Sequence, residues 1–184
     1  MALTPSNMLP LGTTASNFLL PDVISGRDVS LDDIIGSKGM LVMFICNHCP
    51  YVKHVQEQIV ELSNDYQHQG IGIVAISSND VETYPEDSPE CMREEAKKWQ
   101  YAFPYLYDES QQVAKAYDAA CTPDFYLFNN KKVLVYRGQM DSSRPGNEVP
   151  ITGEDLRSAL DDLINGNPID DEQIPSVGCN IKWK

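Results

Sequence analysis

The chain of 184 residues predicts an α/β fold in a single domain, and three observations carry that prediction. First, Met40-Leu-Val-Met-Phe-Ile45 and Ile71-Gly-Ile-Val-Ala-Ile76 are short apolar runs without alternation, the pattern of parallel strands covered on both faces. Second, Val52, Val55, Ile59, Leu62 and Tyr66 between them recur at steps of three and four, one apolar stripe on a helix. Strand, helix and strand of this length form a parallel crossover unit, and such sheets place their active sites beyond the C-terminal strand ends. Third, Asp124 to Phe128 and Val133 to Arg137 read as strands joined at Asn129-Asn130, a hairpin signal, with a final helical pattern after it.

In chain order, residues 1 to 16 are rich in Pro, Thr and Ser and predict an arm on the surface. Phe18-Leu-Leu20 and Val23-Ile24 suggest a short hairpin turned at Ser25-Gly26, and Leu31 to Ile35 a single helical turn before Gly36. The first firm strand is Gly39 to Cys46. The helix from Pro50 turns Gln56, Glu57, Glu61 and Asn64 to water and stops at Gly70. Ser78 to Glu90 is a polar insert after the second core strand. Ser88-Pro89 suits a helix N-cap and first position, with Met92, Ala96 and Trp99 as the inner face. Phe103 to Tyr107 is a short strand, and Ser110 caps a helix facing inward through Val113, Ala114 and Tyr117. Gly138 to Pro150 is a polar loop containing Arg144. Thr152-Gly-Glu-Asp155 approximates a capping box, followed by Leu156, Ala159, Leu160 and Leu163. From about 167 to 184 the chain is a tail, carrying Cys179 and Trp183.

The net charge of −13 argues against nucleic acid or anionic membrane as partners. The apolar runs are too short to span a bilayer. The first residues lack the basic and apolar regions of a secretion signal, so a cytoplasmic location is expected. Five cysteines, an odd number with one close pair, do not form a disulfide scaffold.

That close pair is Cys46-Asn47-His48-Cys49, at a strand end and a helix start. A helix N-terminus presents unpaired N–H groups and a partial positive charge, which stabilise the thiolate that attacks disulfides. Cys46 beside His48 is therefore expected to titrate below a free thiol, and His48 to make the pair more oxidising. A structural zinc half-site and two incidental core cysteines also fit two thiols, but the strand–CxxC–helix context favours a redox pair. His54 offers a third ligand, yet a closed zinc site needs a second pair. No metal and no cofactor are expected.

The order β-CxxC-α-β-α, then Thr122-Pro123, a hairpin and a last helix resembles the thioredoxin fold, a central mixed sheet flanked by helices. The N-terminal extension and the insert are similar to its peroxiredoxin-like and TlpA-like branch. The segments Cys-Asn-His-Cys-Pro-Tyr-Val-Lys-His, Cys121-Thr-Pro-Asp-Phe and Gly-Cys-Asn-Ile-Lys-Trp-Lys resemble a peroxiredoxin-like subfamily of the AhpC/TSA superfamily. The resemblance implies an exposed, attacking Cys46, a resolving Cys49, and a cis Thr122-Pro123 bond facing them. It implies support from Asn47 and His48, and puts Cys121 close by as a packing residue or a third redox thiol.

Two departures qualify the resemblance. The peroxiredoxin Pro-x-x-x-Thr-x-x-Cys motif, set on Cys49, falls on Val42 and Cys46, and no motif places Arg137 or Arg144 at the site. The buried aspartate of thioredoxins is replaced by Met40. The expected activity is thiol–disulfide exchange on protein disulfides, with a thioredoxin-like dithiol or glutathione as reductant. A peroxidase and a non-enzymatic redox sensor are the alternatives.

Overall fold

The computed structural model describes residues 3–184. The elements run β1 Leu3–Pro5, β2 Leu19–Pro21, β3 Asp28–Ser30, α1 Leu31–Ile34, β4 Gly39–Phe44, α2 Pro50–Gln67, β5 Ile71–Ser77, α3 Pro89–Trp99, β6 Tyr105–Tyr107, α4 Gln112–Ala116, β7 Cys121–Thr122, β8 Asp124–Asn129, β9 Leu134–Gly138, α5 Glu154–Asn165 and β10 Val177–Asn180.

The main sheet has the order β6-β5-β4-β8-β9. β4 pairs in parallel with β5, and β5 with β6, while β8 runs antiparallel to β4 and to β9. It is therefore a mixed sheet whose middle strand, β4, leads into the cysteines. All six residues of β4 are buried, so its two sets of side chains feed two cores. Leu41, Met43 and Ile45 join both cysteines, the inner face of α2 and Leu156, Ala159 and Leu160 of α5. Met40, Val42 and Phe44 join α1, α4 and an aromatic group of Tyr117, Tyr126 and Phe128 on the opposite side. Met40 thus packs in the layer away from the thiols.

The α2 stripe buries Val52, Val55, Ile59, Leu62 and Tyr66 as its period predicts. Gln56 does not take the wet face expected of it. It is buried and its side-chain amide bonds the Tyr101 hydroxyl, because α3 and the following turn cover that side of the helix. α2 ends at Gln67, and Gly70 adopts φ +88, a left-handed conformation that favours glycine. Ser88 caps α3 by accepting from the Cys91 N–H at 3.4 Å. The capping box expected at Thr152 is absent. The α5 N-cap is Gly153 at φ 70, and its N–H donates to Asp141 at 2.6 Å.

The two chain ends depart most from expectation. The arm and tail form a second sheet, β1-β10-β7, antiparallel throughout. Leu3 lies opposite Cys179, and Cys179 opposite Thr122. Main-chain pairing of this kind needs no side-chain periodicity, so three- and four-residue strands leave little pattern in a sequence.

Candidate functional site

Cys46 follows the end of β4 and Cys49 is the N-cap of α2, with Pro50 at the first helical position. The turn between them brings both sulfurs against β7. The Thr122–Pro123 bond is cis. Cys46 Sγ lies 3.4 Å from the Thr122 hydroxyl and Cys49 Sγ lies 3.2 Å from the Thr122 carbonyl oxygen. Both thiols are free. Contrary to the expected exposed Cys46, both are buried, at 2% and 0% exposure. Cys46 is enclosed because the 78–90 insert folds down over the CxxC turn.

Charge within the pair also falls differently from expectation. Cys49, not Cys46, is the low-titrating thiol, brought down to about 5. The largest cause is the Cys46 S–H directed at its sulfur. Burial opposes the shift, and the Cys179 thiol, the Val52 N–H in the first helical turn and Thr122 support it. The proton that Cys46 holds toward Cys49 pushes Cys46 itself well up, reinforced by burial and by the Asp87 charge. The Val52 N–H at the start of α2 adds to the asymmetry, since it favours the Cys49 thiolate and has no counterpart at Cys46.

Asp87, invisible to the sequence reading, organises the turn. It is fully buried. One carboxylate oxygen accepts the main-chain N–H groups of Asn47 at 2.8 Å and His48 at 3.2 Å. The other meets His48 Nδ1 at 2.6 Å and accepts from the Asn79 side chain at 2.7 Å. Hydrogen bonding to Asp87 raises His48 above its ordinary value. Burial alone raises Asp87, but His48 and Asn79 outweigh it and hold the carboxyl below the usual range. The His48 ring stacks on Tyr84 with centroids 5.3 Å apart. Asn47 donates to the Glu86 carbonyl at 2.9 Å and accepts from the Tyr105 hydroxyl at 3.1 Å. The C-terminal segment braces this insert: the Lys182 N–H donates to Asn79 at 2.8 Å, and its carbonyl accepts from Asp80 at 2.8 Å. No spacing rule links these residues, because the sheet topology alone brings them together.

Asn47, His48, Thr122 and Pro123 thus gather around Cys46 and Cys49. Cys121 is buried in β7 with its sulfur toward the carbonyls of Pro123 at 3.7 Å and Ser176 at 4.0 Å. Burial pushes its thiol far up, so it holds its proton. Cys91 sits in the first turn of α3, half-buried. His54 is engaged with Ser143 at 3.2 Å. Arg137 donates to the Leu9 carbonyl and to Gln173, and Arg144 to the carbonyls of Asp141 and Ser143. Both guanidinium groups are thus committed to other partners. For a metal, Cys46, His48 and Asp87 offer one donor atom each within 4.8 Å of one another. His48 Nδ1 and Asp87 are engaged with each other while His48 Nε2 is buried without a partner, and three donors fall short of the four of a closed zinc site.

A strand–CxxC–helix unit whose sulfurs meet a cis-proline loop on a mixed sheet defines a thioredoxin-like dithiol protein. Within that class, this chain belongs to the AhpC/TSA family, which matches residues 11–137. It is similar to an uncharacterized conserved protein from Geobacillus kaustophilus, with 57% identity and a TM-score of 0.99 over 100% of this chain and 97% of that one. It is also similar to the thiol-disulfide oxidoreductase ResA of Geobacillus thermodenitrificans, 26% identical over 87% of this chain and 82% of the relative. The ResA of Halalkalibacterium halodurans is likewise 26% identical, over 67% of this chain, and the match spans 65% of that relative's length.

Proposed function

We propose that this protein is a thiol–disulfide oxidoreductase acting on protein disulfides through Cys46 and Cys49. The observation that supports it best is the pair itself: two free thiols that share a proton, one of them low-titrating, both touching Thr122 beside the cis Pro123. Cys46 attacks one sulfur of the substrate disulfide, and its proton passes to the Cys49 thiolate. A Cys46–substrate disulfide forms and the second substrate sulfur leaves as a thiolate. That leaving thiolate takes the proton from Cys49. Cys49, now a thiolate, attacks Cys46 Sγ, forming the Cys46–Cys49 disulfide and expelling the substrate sulfur that Cys46 held as a thiolate, which takes its proton from water. A thioredoxin-like dithiol, or two glutathione molecules in turn, restores the pair, and no cofactor enters the cycle.

The reading places the protein in the cytoplasm, with no part for nucleic acid or membrane. Among the described residues no helix is long and apolar enough to cross a membrane. An antioxidant role by direct peroxide reduction is disfavoured, because neither arginine acts on the thiols. Polarising the O–O bond by such donors is a transition-state term worth about 3–4 kcal/mol in comparable sites.

The test is insulin reduction beside stopped-flow oxidation by hydrogen peroxide. Turnover with insulin and slow reaction with peroxide are expected. Cys46→Ser abolishes turnover, and Cys49→Ser accumulates mixed disulfides. Fast peroxide reduction without insulin turnover overturns the reading in favour of a peroxidase. Single oxidation with no turnover overturns it in favour of a sensor.

A further inference from the structure

The Cys46–Cys49 pair does not end the row of thiols. Cys179 lies on β10, opposite Thr122 in register, and Thr122 is the residue that both Cys46 and Cys49 touch. Cys46, Cys49 and Cys179 belong to one packed core group, with Cys179 at 2% exposure. The Cys179 thiol favours the thiolate of Cys49, and Cys49 in turn raises Cys179, so the two act on each other's charge. The approach depends on Gly178: a Cβ there meets the Thr122 carbonyl oxygen at 1.9 Å and Pro123 N at 3.2 Å. A glycine at 178 is what lets β10 lie close enough to the proline loop to deliver the next residue to the buried sulfur.

We propose that Cys179 is a third redox thiol, which takes the disulfide inward from Cys46–Cys49 to Cys49–Cys179. This inference rests on the dithiol reading above. In the step, Cys179 attacks Cys49 Sγ. The Cys49–Cys179 bond forms, the Cys46–Cys49 bond breaks, and Cys46 leaves as a thiolate that takes up the proton Cys179 gave up. One thiol and one disulfide stand on each side, so no further oxidant or reductant is required. Cys46 is then free to engage a second substrate sulfur or a reductant while the oxidising equivalent is held behind it.

Charge sets the order of events. In the reduced protein Cys179 is pushed up to about 12, chiefly by burial and by the neighbouring Cys49, so it holds its proton. Once Cys49 is in a disulfide, that negative neighbour is gone, while Lys182 still favours the Cys179 thiolate. Cys179 therefore gains nucleophilicity only after the outer pair has been oxidised. Cys121, the other thiol of this small sheet, faces the Pro123 and Ser176 carbonyls instead.

The experiment uses the full chain as wild type, Cys46→Ser and Cys46→Ser/Cys179→Ala, equilibrated with oxidised dithiothreitol, alkylated and mapped by peptide mass spectrometry. Circular dichroism and urea midpoints check that each variant is folded. In Cys46→Ser, two thiols per chain are expected to disappear into a Cys49–Cys179 peptide pair, at least ten times more abundant than Cys49–Cys121. The double variant is expected to keep its thiols. Four free thiols in folded Cys46→Ser, or a predominant Cys49–Cys121 pair, overturns the proposal and leaves Cys46–Cys49 standing. Should Cys46→Ser unfold, wild type carries the test. Rapid acid quenching during its oxidation is then expected to capture both disulfides, and capture of Cys46–Cys49 alone is decisive against the relay. Absence of any Cys46–Cys49 disulfide in wild type would instead sink the dithiol reading on which this one rests.

Discussion

The placement of charge on Cys49 makes a quantitative prediction. A free thiol titrates near 8.5, so only about 3% of it is thiolate at neutral pH. Cys49 titrates at about 5 in the folded chain, which makes it about 99% thiolate under the same conditions. The groups around Cys49 thus favour its thiolate over its thiol. The Cys46 thiol is the strongest of the groups that favour the Cys49 thiolate, followed by Cys179, the Val52 N–H and Thr122. Ultraviolet thiolate absorbance against pH reads this directly. One thiolate per reduced chain is expected to appear with a midpoint near 5 and to vanish in Cys49→Ser. Cys46→Ala removes the largest donor and moves the midpoint up, whereas Cys46→Ser keeps a hydroxyl donor and moves it less. A midpoint at or above about 8.5 refutes the reasoning. So does a low-titrating thiolate that survives in Cys49→Ser, because the charge would then rest on Cys46.

The other predictions concern the groups around the pair. Asp87→Asn removes the charge facing His48, so the His48 midpoint, read by NMR, should fall toward about 6.5, and stability should drop by about 2–4 kcal/mol in urea unfolding. In the wild type the His48 contribution is fully present below about 6.5 and lost as pH rises through its raised value, while that of Asp87 is present above about 4 and lost in acid. A flat stability profile across both limits would count against the ion pair. Asp124, pushed up to about 7 by burial, keeps its proton while the unfolded chain loses one, so stability should decline from about pH 4 to pH 7. Asp124→Asn should abolish that decline. His48→Pro should make the couple less oxidising in equilibration with glutathione, and an unchanged constant would make His48 a bystander. Purified reduced protein should contain less than stoichiometric zinc by elemental analysis. One zinc per chain, lost in Cys46→Ser, would assign the Cys46, His48 and Asp87 donors to a metal.

The strand–CxxC–helix–strand unit was legible because each part has a period: continuous apolar strands, then a stripe at steps of three and four. Thr122-Pro123 was legible only through resemblance. Asp87 was not legible, since a polar loop residue before Ser88-Pro89 looks like any solvated carboxylate. Its burial follows from the insert closing on Asn47 and His48. Gln56 misled for a related reason: helix period says which face a residue takes, not whether another element covers that face. The titration order of the two cysteines depends on which of them holds the proton between them and on the nearby Cys179, Val52 and Thr122, none of which spacing reveals. Cys179 was visible as a cysteine, but its meeting with Cys49 is set by the register of β10 on β7.

The small sheet β1-β10-β7 ties the first described residues and the last strand to the strand that carries Thr122. These are among the most widely separated contacts in the chain, and contacts of large sequence separation carry the greatest loop-closure cost. The β4–α2–β5 unit, by contrast, is local and is built from residues 39–77. A chain with only that unit assembled already has both cysteines near a helix end, but lacks Thr122 and Cys179 beside them. Cys49 there already has the Cys46 donor and the Val52 N–H, and lacks the two further groups, Cys179 and Thr122, that favour its thiolate. The last part of its acidity is added when the two ends of the polypeptide meet.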